Sequence, residues 1–185
     1  MARRIEFNKD YILEKSLHFI VDNGINNLNA RSLCKYIGCS TQPLFKNFES
    51  MDVFKKCLKK YLHDYYDSFI NQIVNKEDYL YTISYAYALF ALEEANIFNA
   101  LFMTDLAGNR TIDEVLKSSW NIETIESIPK QYGLSMDKAN HLYRDVRFYT
   151  HGLACQISCN SINVTKKEIS ELIRNLIDSL RMVIK

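Results

Sequence analysis

Apolar residues recur along this chain at helical spacing. Ile12, Ser16, Phe19 and Ile20 share one face of a first helix, and Gly24, just past Asp22 and Asn23, stands where a C-terminal cap belongs. Asn29 offers an N-cap to a short second helix, in which Ala30, Leu33, Cys34 and Ile37 follow i, i+3, i+4, i+7 before Gly38 ends it. Ser40 is placed to cap a third helix. Pro43 suits its first turn, where an N–H has no intrahelical partner, and Leu44 and Phe48 anchor it. From Ser50 a fourth helix of about six turns is predicted, carried by Val53, Phe54, Cys57, Leu58, Tyr61, Leu62, Tyr65, Phe69 and Ile73.

The remaining pattern predicts helices at about 78–94, 96–106, 111–128, 135–159 and 165–184. Two of these starts carry the S/T-x-x-E capping box, Thr111 with Glu114 and Thr165 with Glu168. The last helix bears one aliphatic stripe: Ile169, Leu172, Ile173, Leu176, Ile177, Leu180 and Ile184. No internal repeat or low-complexity segment interrupts the series.

Composition agrees with an all-α reading. In 185 residues, 5 glycines and 2 prolines supply too few turns for an all-β sandwich. Net charge is only +1, but residues 1–65 hold 11 Lys/Arg against 7 Asp/Glu while residues 66–185 hold 12 against 15, so the N-terminal part is the better match for a polyanion. No apolar run reaches the roughly 20 residues of a membrane span and the first residues lack a signal-peptide core, so a cytoplasmic protein is expected. Five cysteines, none in zinc-like pairs, suit reduced thiols. Cys155 and Cys159 share a helix face and could meet a soft metal or an oxidant, although packing is the ordinary use of such a pair.

Catalytic signatures are missing. There is no GxSxG, HExxH or glycine-rich phosphate loop, and His18, His63, His141 and His151 are scattered. No enzyme activity, cofactor or metal is therefore expected.

Two short helices separated by Gly38 and Cys39 make a helix-turn-helix, whose second member presents Thr41, Gln42, Pro43, Lys46 and Asn47. Gln and Asn can pair with adenine, Lys with guanine or phosphate, and Thr or Pro can touch a thymine methyl. From Ile12 to Phe54 the chain resembles the DNA-binding domain of the TetR family of transcriptional regulators. The likeness rests on the first helix closing at Gly24, on Leu28-Asn29-Ala30-Arg31-Ser32-Leu33, and on Ile37-Gly38-Cys39-Ser40-Thr41-Gln42-Pro43-Leu44-Phe45-Lys46-Asn47-Phe48. It implies DNA contacts from Asn29, Arg31, Thr41, Gln42, Pro43, Phe45, Lys46 and Asn47. The family usually has threonine at position 29, tyrosine at 45 and lysine at 51, where this chain has Asn29, Phe45 and Met51. Lys46, Lys55, Lys56 or an Arg3-Arg4 arm could make up the lost phosphate contacts.

The resemblance further implies a DNA-binding domain at 1–50 and a helical effector-binding and dimerisation domain at 51–185. The expected partners are double-stranded operator DNA, an apolar or aromatic small molecule, and a second copy of the chain. Phe98, Phe102, Trp120, Tyr143 and His151 are candidates to line the effector site, within a wider aromatic set that includes Phe148 and Tyr149. His151-Gly152-Leu153-Ala154 looks like a segment in the penultimate helix of some family members. Dimerisation is expected through Gly152, Cys155, Cys159, Leu172, Leu176 and Leu180, small residues on one helix and an aliphatic stripe on the next. Two other readings stay open: a helical interaction protein that has lost DNA binding, and a small helical enzyme.

Overall fold

The computed structural model describes residues 7–104, 106 and 111–184. Its elements are all helical: α1 (Lys9–Asn23), α2 (Ala30–Ile37), α3 (Gln42–Phe48), α4 (Met51–Asn71), α5 (Tyr79–Glu93), α6 (Ala95–Phe102), α7 (Ile112–Leu116), α8 (Ser119–Tyr132), α9 (Met136–Ser158) and α10 (Lys166–Ile184), with 3-10 turns at Ile25–Asn27 and Lys76–Asp78.

Most ends fall where the sequence places them, with four differences. The helix expected over 111–128 is two helices. Ser118 is extended (φ −69°, ψ 151°), and the Asn121 side-chain amide donates to the Val115 carbonyl, satisfying an end that the break exposes. The second piece, α8, then runs on through Pro129 until Gly133 turns left-handed. Thr41, not Ser40, caps α3, without a side-chain bond. The helix expected over 96–106 ends at Phe102, and α4 ends at Asn71, leaving Ile73 beyond it.

Two compact units result: Met1–Tyr66 with Asn96–Ala107, and Asp67–Ala95 with Gly108–Lys185. The division does not fall at residue 50. Its physical reason lies in α4, which buries Phe54, Leu58 and Leu62 at successive turns, with Phe54 meeting the Phe48 ring edge-on at 5.2 Å.

In the first unit α1 packs on α2 and α3. Ile12, Phe19, Ile20, Leu33, Leu44 and Phe48 are buried there, and each is an apolar position of the helical pattern. The Asn96 side-chain amide donates to the Val21 carbonyl at 2.8 Å, which ties α6 to the end of α1.

The second unit is arranged around α5, whose sequence, Tyr-Leu-Tyr-Thr-Ile-Ser-Tyr-Ala-Tyr-Ala-Leu-Phe-Ala-Leu-Glu, is apolar on nearly every side. Such a helix must be covered all round. Here α8, α9 and α10 pack against it, and Leu80, Ala86, Ala88, Phe90 and Ala91 lose all exposure. Polar bonds fix the periphery: Arg174 lies 3.6 Å from the centre of the Tyr81 ring and pairs with Asp78 at 3.1 Å, and Lys166 pairs with Glu93.

Candidate nucleic-acid interface

The helix-turn-helix is built from backbone hydrogen bonds that the sequence supplies locally. Asn29 is extended, and its side-chain oxygen accepts from the N–H groups of Arg31 and Ser32 at 3.0 Å each. Ser32 returns the favour by accepting from the Asn29 N–H at 3.0 Å, so α2 starts on a reciprocal capping box.

At the other end of α2, Gly38 takes a left-handed conformation (φ 81°, ψ 35°) that a side chain would strain. Its N–H reaches the Cys34 carbonyl at 3.0 Å and the Lys35 carbonyl at 3.3 Å, and the Cys39 N–H reaches Cys34 at 2.9 Å. This is a Schellman closure, and it turns the chain into α3 within a few residues.

The anchor residues Leu44 and Phe48 hold α3 by its buried face, leaving Gln42, Phe45 and Lys46 exposed on the other. Arg31 is exposed at the start of α2, where Asn29 is exposed but committed to the cap. Thr41 and Pro43 are half-buried. Asn47, expected on the open face, is half-buried instead. Its amide donates at 2.8 Å to both the Phe7 and Pro43 carbonyls, so it ties α3 to the start of the chain and keeps only its oxygen for another partner. Lys55 and Lys56 are exposed on α4 and Met51 is half-buried. The Arg3-Arg4 arm lies outside the described residues.

The aromatic candidates for an effector site divide between the units. Phe98 and Phe102 belong to the first, where their rings meet at 5.1 Å and Phe102 also meets Tyr66 edge-on at 5.3 Å. Trp120, Tyr143 and His151 belong to the second. Phe98 and Phe102 stand on α6, and the other three stand on α8 and α9. Two grooves of about 420 and 390 Å³ open on the second unit, the first lined by Lys76, Tyr79, Glu123 and Gln131, the second by Leu116, Ile122, Ile125 and Met136. None of the five candidates lines either groove. Tyr143 is buried, which pushes its hydroxyl up to about 12, and it donates to Asn121.

His151 is already occupied. Its Nδ1 meets the Tyr87 hydroxyl at 2.9 Å and its Nε2 meets the Cys155 sulfur at 3.6 Å. Burial, aided by the positive charge of Arg147, lowers its pKa below the usual imidazole value. His151 and Cys155 stand one helical turn apart on α9, the spacing at which side chains of one helix meet.

The aliphatic stripe of α10 splits lengthwise. Ile169, Ile173 and Ile177 are buried inside the unit, whereas Leu172 is 38% exposed and Leu176 and Leu180 are half-buried. On α9, Gly152 is exposed and Cys155 is half-buried, and Cys159, which caps the helix, is exposed. Phe148 and Tyr149, grouped in the sequence with pocket aromatics, are 47% and 40% exposed on the surface of α9. No helix among the described residues is long and apolar enough to cross a membrane, and none of those residues form a group of three or more metal-ligating side chains.

No protein-family model and no curated protein matches this sequence. The architecture does match a solved structure, that of a "putative TetR-family transcriptional regulator" from Rhodococcus sp. The two superpose with a TM-score of 0.68 over 94% of this chain and 98% of that one, at 15% sequence identity. With its short helix-turn-helix units at one end of an all-helical chain, this protein has the fold of a TetR-family transcriptional regulator.

Proposed function

We propose that the chain is a TetR-family transcriptional regulator, a homodimeric, cytoplasmic repressor that binds double-stranded operator DNA and releases it when a small molecule occupies the second unit. The observation that carries this reading is α3. It is held by two buried anchors, fed by a tight left-handed turn, and exposes Gln42, Phe45 and Lys46 side by side. Those chemistries suit a base edge, a thymine methyl and a phosphate or guanine respectively.

Dimerisation gives the second half of the argument. Leu172, Leu176 and Leu180 line the side of α10 left over after Ile169, Ile173 and Ile177 are packed, and the small exposed Gly152 on α9 suits close approach of a second helix. An isologous pairing of α9 and α10 would present two reading heads to a palindromic site, about 34–36 Å apart. Ligand release then requires only that the ligand favour a conformation in which that spacing is lost.

The test is selection of bound duplexes from random DNA, followed by anisotropy titrations of the selected site at several salt concentrations. Gln42→Ala is expected to relax preference at one base pair by about 1–3 kcal/mol. Lys46→Ala should weaken binding to all sequences and reduce the salt slope by about 1 if it meets phosphate. No enrichment of any sequence, with salt-insensitive binding, would favour the interaction-protein reading.

A further inference from the structure

Two of the five cysteines flank the turn between α2 and α3. Cys34 stands in the last turn of α2 and is 3% exposed; Cys39 follows Gly38 and is half-buried. The Schellman closure makes them neighbours. Its 2.9 Å bond from the Cys39 N–H to the Cys34 carbonyl draws the two residues together across the left-handed Gly38, and side chains at these two positions of the motif frequently touch. After burial, the neighbouring Cys39 sulfur is what most raises the pKa of the Cys34 thiol. We propose that Cys34 and Cys39 form an oxidation site, a dithiol in the turn between α2 and α3 that closes to an intramolecular disulfide when a peroxide reaches Cys39.

The two sulfurs have unequal roles. Burial, then the neighbouring Cys39 sulfur, push the Cys34 thiol up to about 11, so Cys34 keeps its proton and Cys39 is the more accessible nucleophile. As thiolate, Cys39 attacks one oxygen of hydrogen peroxide. The O–O bond breaks, the departing oxygen takes up a proton and leaves as water, and Cys39 becomes a sulfenic acid. The Cys34 sulfur then displaces that hydroxyl. The S–O bond breaks, the thiol proton departs with the hydroxyl as a second water, and the S–S bond forms. In sum, two thiols lose two protons and two electrons, and one peroxide becomes two waters. The product ties the end of α2 to the residue that precedes Ser40 and Thr41, at the root of α3. The chemistry belongs to the protein alone, so its test does not depend on whether the chain binds DNA.

The sequence makes the test clean. Trypsin cuts after Arg31, Lys35 and Lys46, which separates Cys34 (peptide 32–35) from Cys39 (peptide 36–46). The full chain is treated with graded hydrogen peroxide, the remaining thiols are alkylated, and the digest is read by mass spectrometry without reduction. The expected product is peptide 32–35 joined to peptide 36–46, present in a monomer band and lost on reduction with dithiothreitol. Cys159 serves as the internal gauge, being exposed and lowered in pKa by hydrogen bonding to Ser161. Cys34→Ser should leave a sulfenic acid on Cys39 that dimedone traps, and Cys39→Ser should protect Cys34. Recovery of both Cys34 and Cys39 as alkylated thiols in the wild-type chain, at a dose that oxidises Cys159 completely, would overturn the proposal. Linkage of either one to any other cysteine would overturn it too.

Discussion

The helix-turn-helix and the helical unit built around α5 use the same element for opposite purposes. In the first, helices of seven and eight residues are too short to be stable alone, and caps and turns define them: Asn29 at one end of α2, Gly38 at the other, Pro43 inside α3. Their exposed faces are narrow and mix polar side chains with Tyr36 and Phe45. In the second unit, α9 and α10 run for 23 and 19 residues, and what matters is which of their faces another helix covers. Local chemistry decides the first region; packing decides the second.

The largest effect should come from the core that holds the helix-turn-helix. Phe48→Ala removes a ring in contact with Phe54 and should cost about 3–5 kcal/mol, read from urea unfolding. Hydrogen exchange should show protection lost in α1 to α3 and kept in α9 and α10. Uniform loss across the chain would erase the contrast between the regions.

Next in size is the uncovered side of α10. Leu176→Glu together with Leu180→Glu should leave the helical circular dichroism intact, since Ile169, Ile173 and Ile177 still fill the core, while halving the mass seen by light scattering at micromolar concentration. A wild-type monomer, or a double variant that stays dimeric, breaks this assignment.

Caps sharpen the comparison from the other side because they act locally in both units. Asn29→Ala and Thr165→Ala each remove a side-chain oxygen that accepts a helix N–H, at 3.0 and 3.2 Å, and each should cost about 1 kcal/mol in thermal unfolding. A much smaller loss at Thr165 would mean that packing overrides the cap in the longer helix.

The smallest effect concerns His151. Its folded-state pKa is depressed by burial and by Arg147, with Tyr87 and Cys155 as its hydrogen-bond neighbours, so the folded protein resists protonation that the unfolded chain accepts near 6.5. Stability should be complete above that pH and decline as pH falls below it. His151→Gln should flatten the decline, measured as melting temperature between pH 7.5 and 5. An unchanged acid slope would remove His151 from the account.

Much of the fold is legible in the sequence. Asn29, Gly38, Thr111 and Thr165 mark their helix ends in the structure as they do in the sequence, because each acts on backbone groups within a few residues. The break at Ser118 was not legible. No Gly or Pro announces it, and its stabilising bond comes from Asn121, which reads as an ordinary helical residue. The face of α3 was largely legible from Leu44 and Phe48, yet Asn47 was not, since its amide is consumed by Phe7, forty residues away in the chain.

Sequence alone therefore determined that the protein is all-α, where its caps and turns stand, and which end carries the helix-turn-helix, since these follow from spacing and from hydrogen bonds between near neighbours. Tertiary structure alone decided how the apolar residues are shared out. A stripe such as Ile169 to Ile184 reads as one surface along a helix, but α5 and α9 cover only part of it, and periodicity cannot say which leucines are left over. The same holds for the aromatics: Phe98 and Trp120 look interchangeable in sequence, and only the packing of the folded chain assigns them to different units. Helix-forming forces act between neighbours in sequence, whereas burial depends on which elements the folded chain brings together.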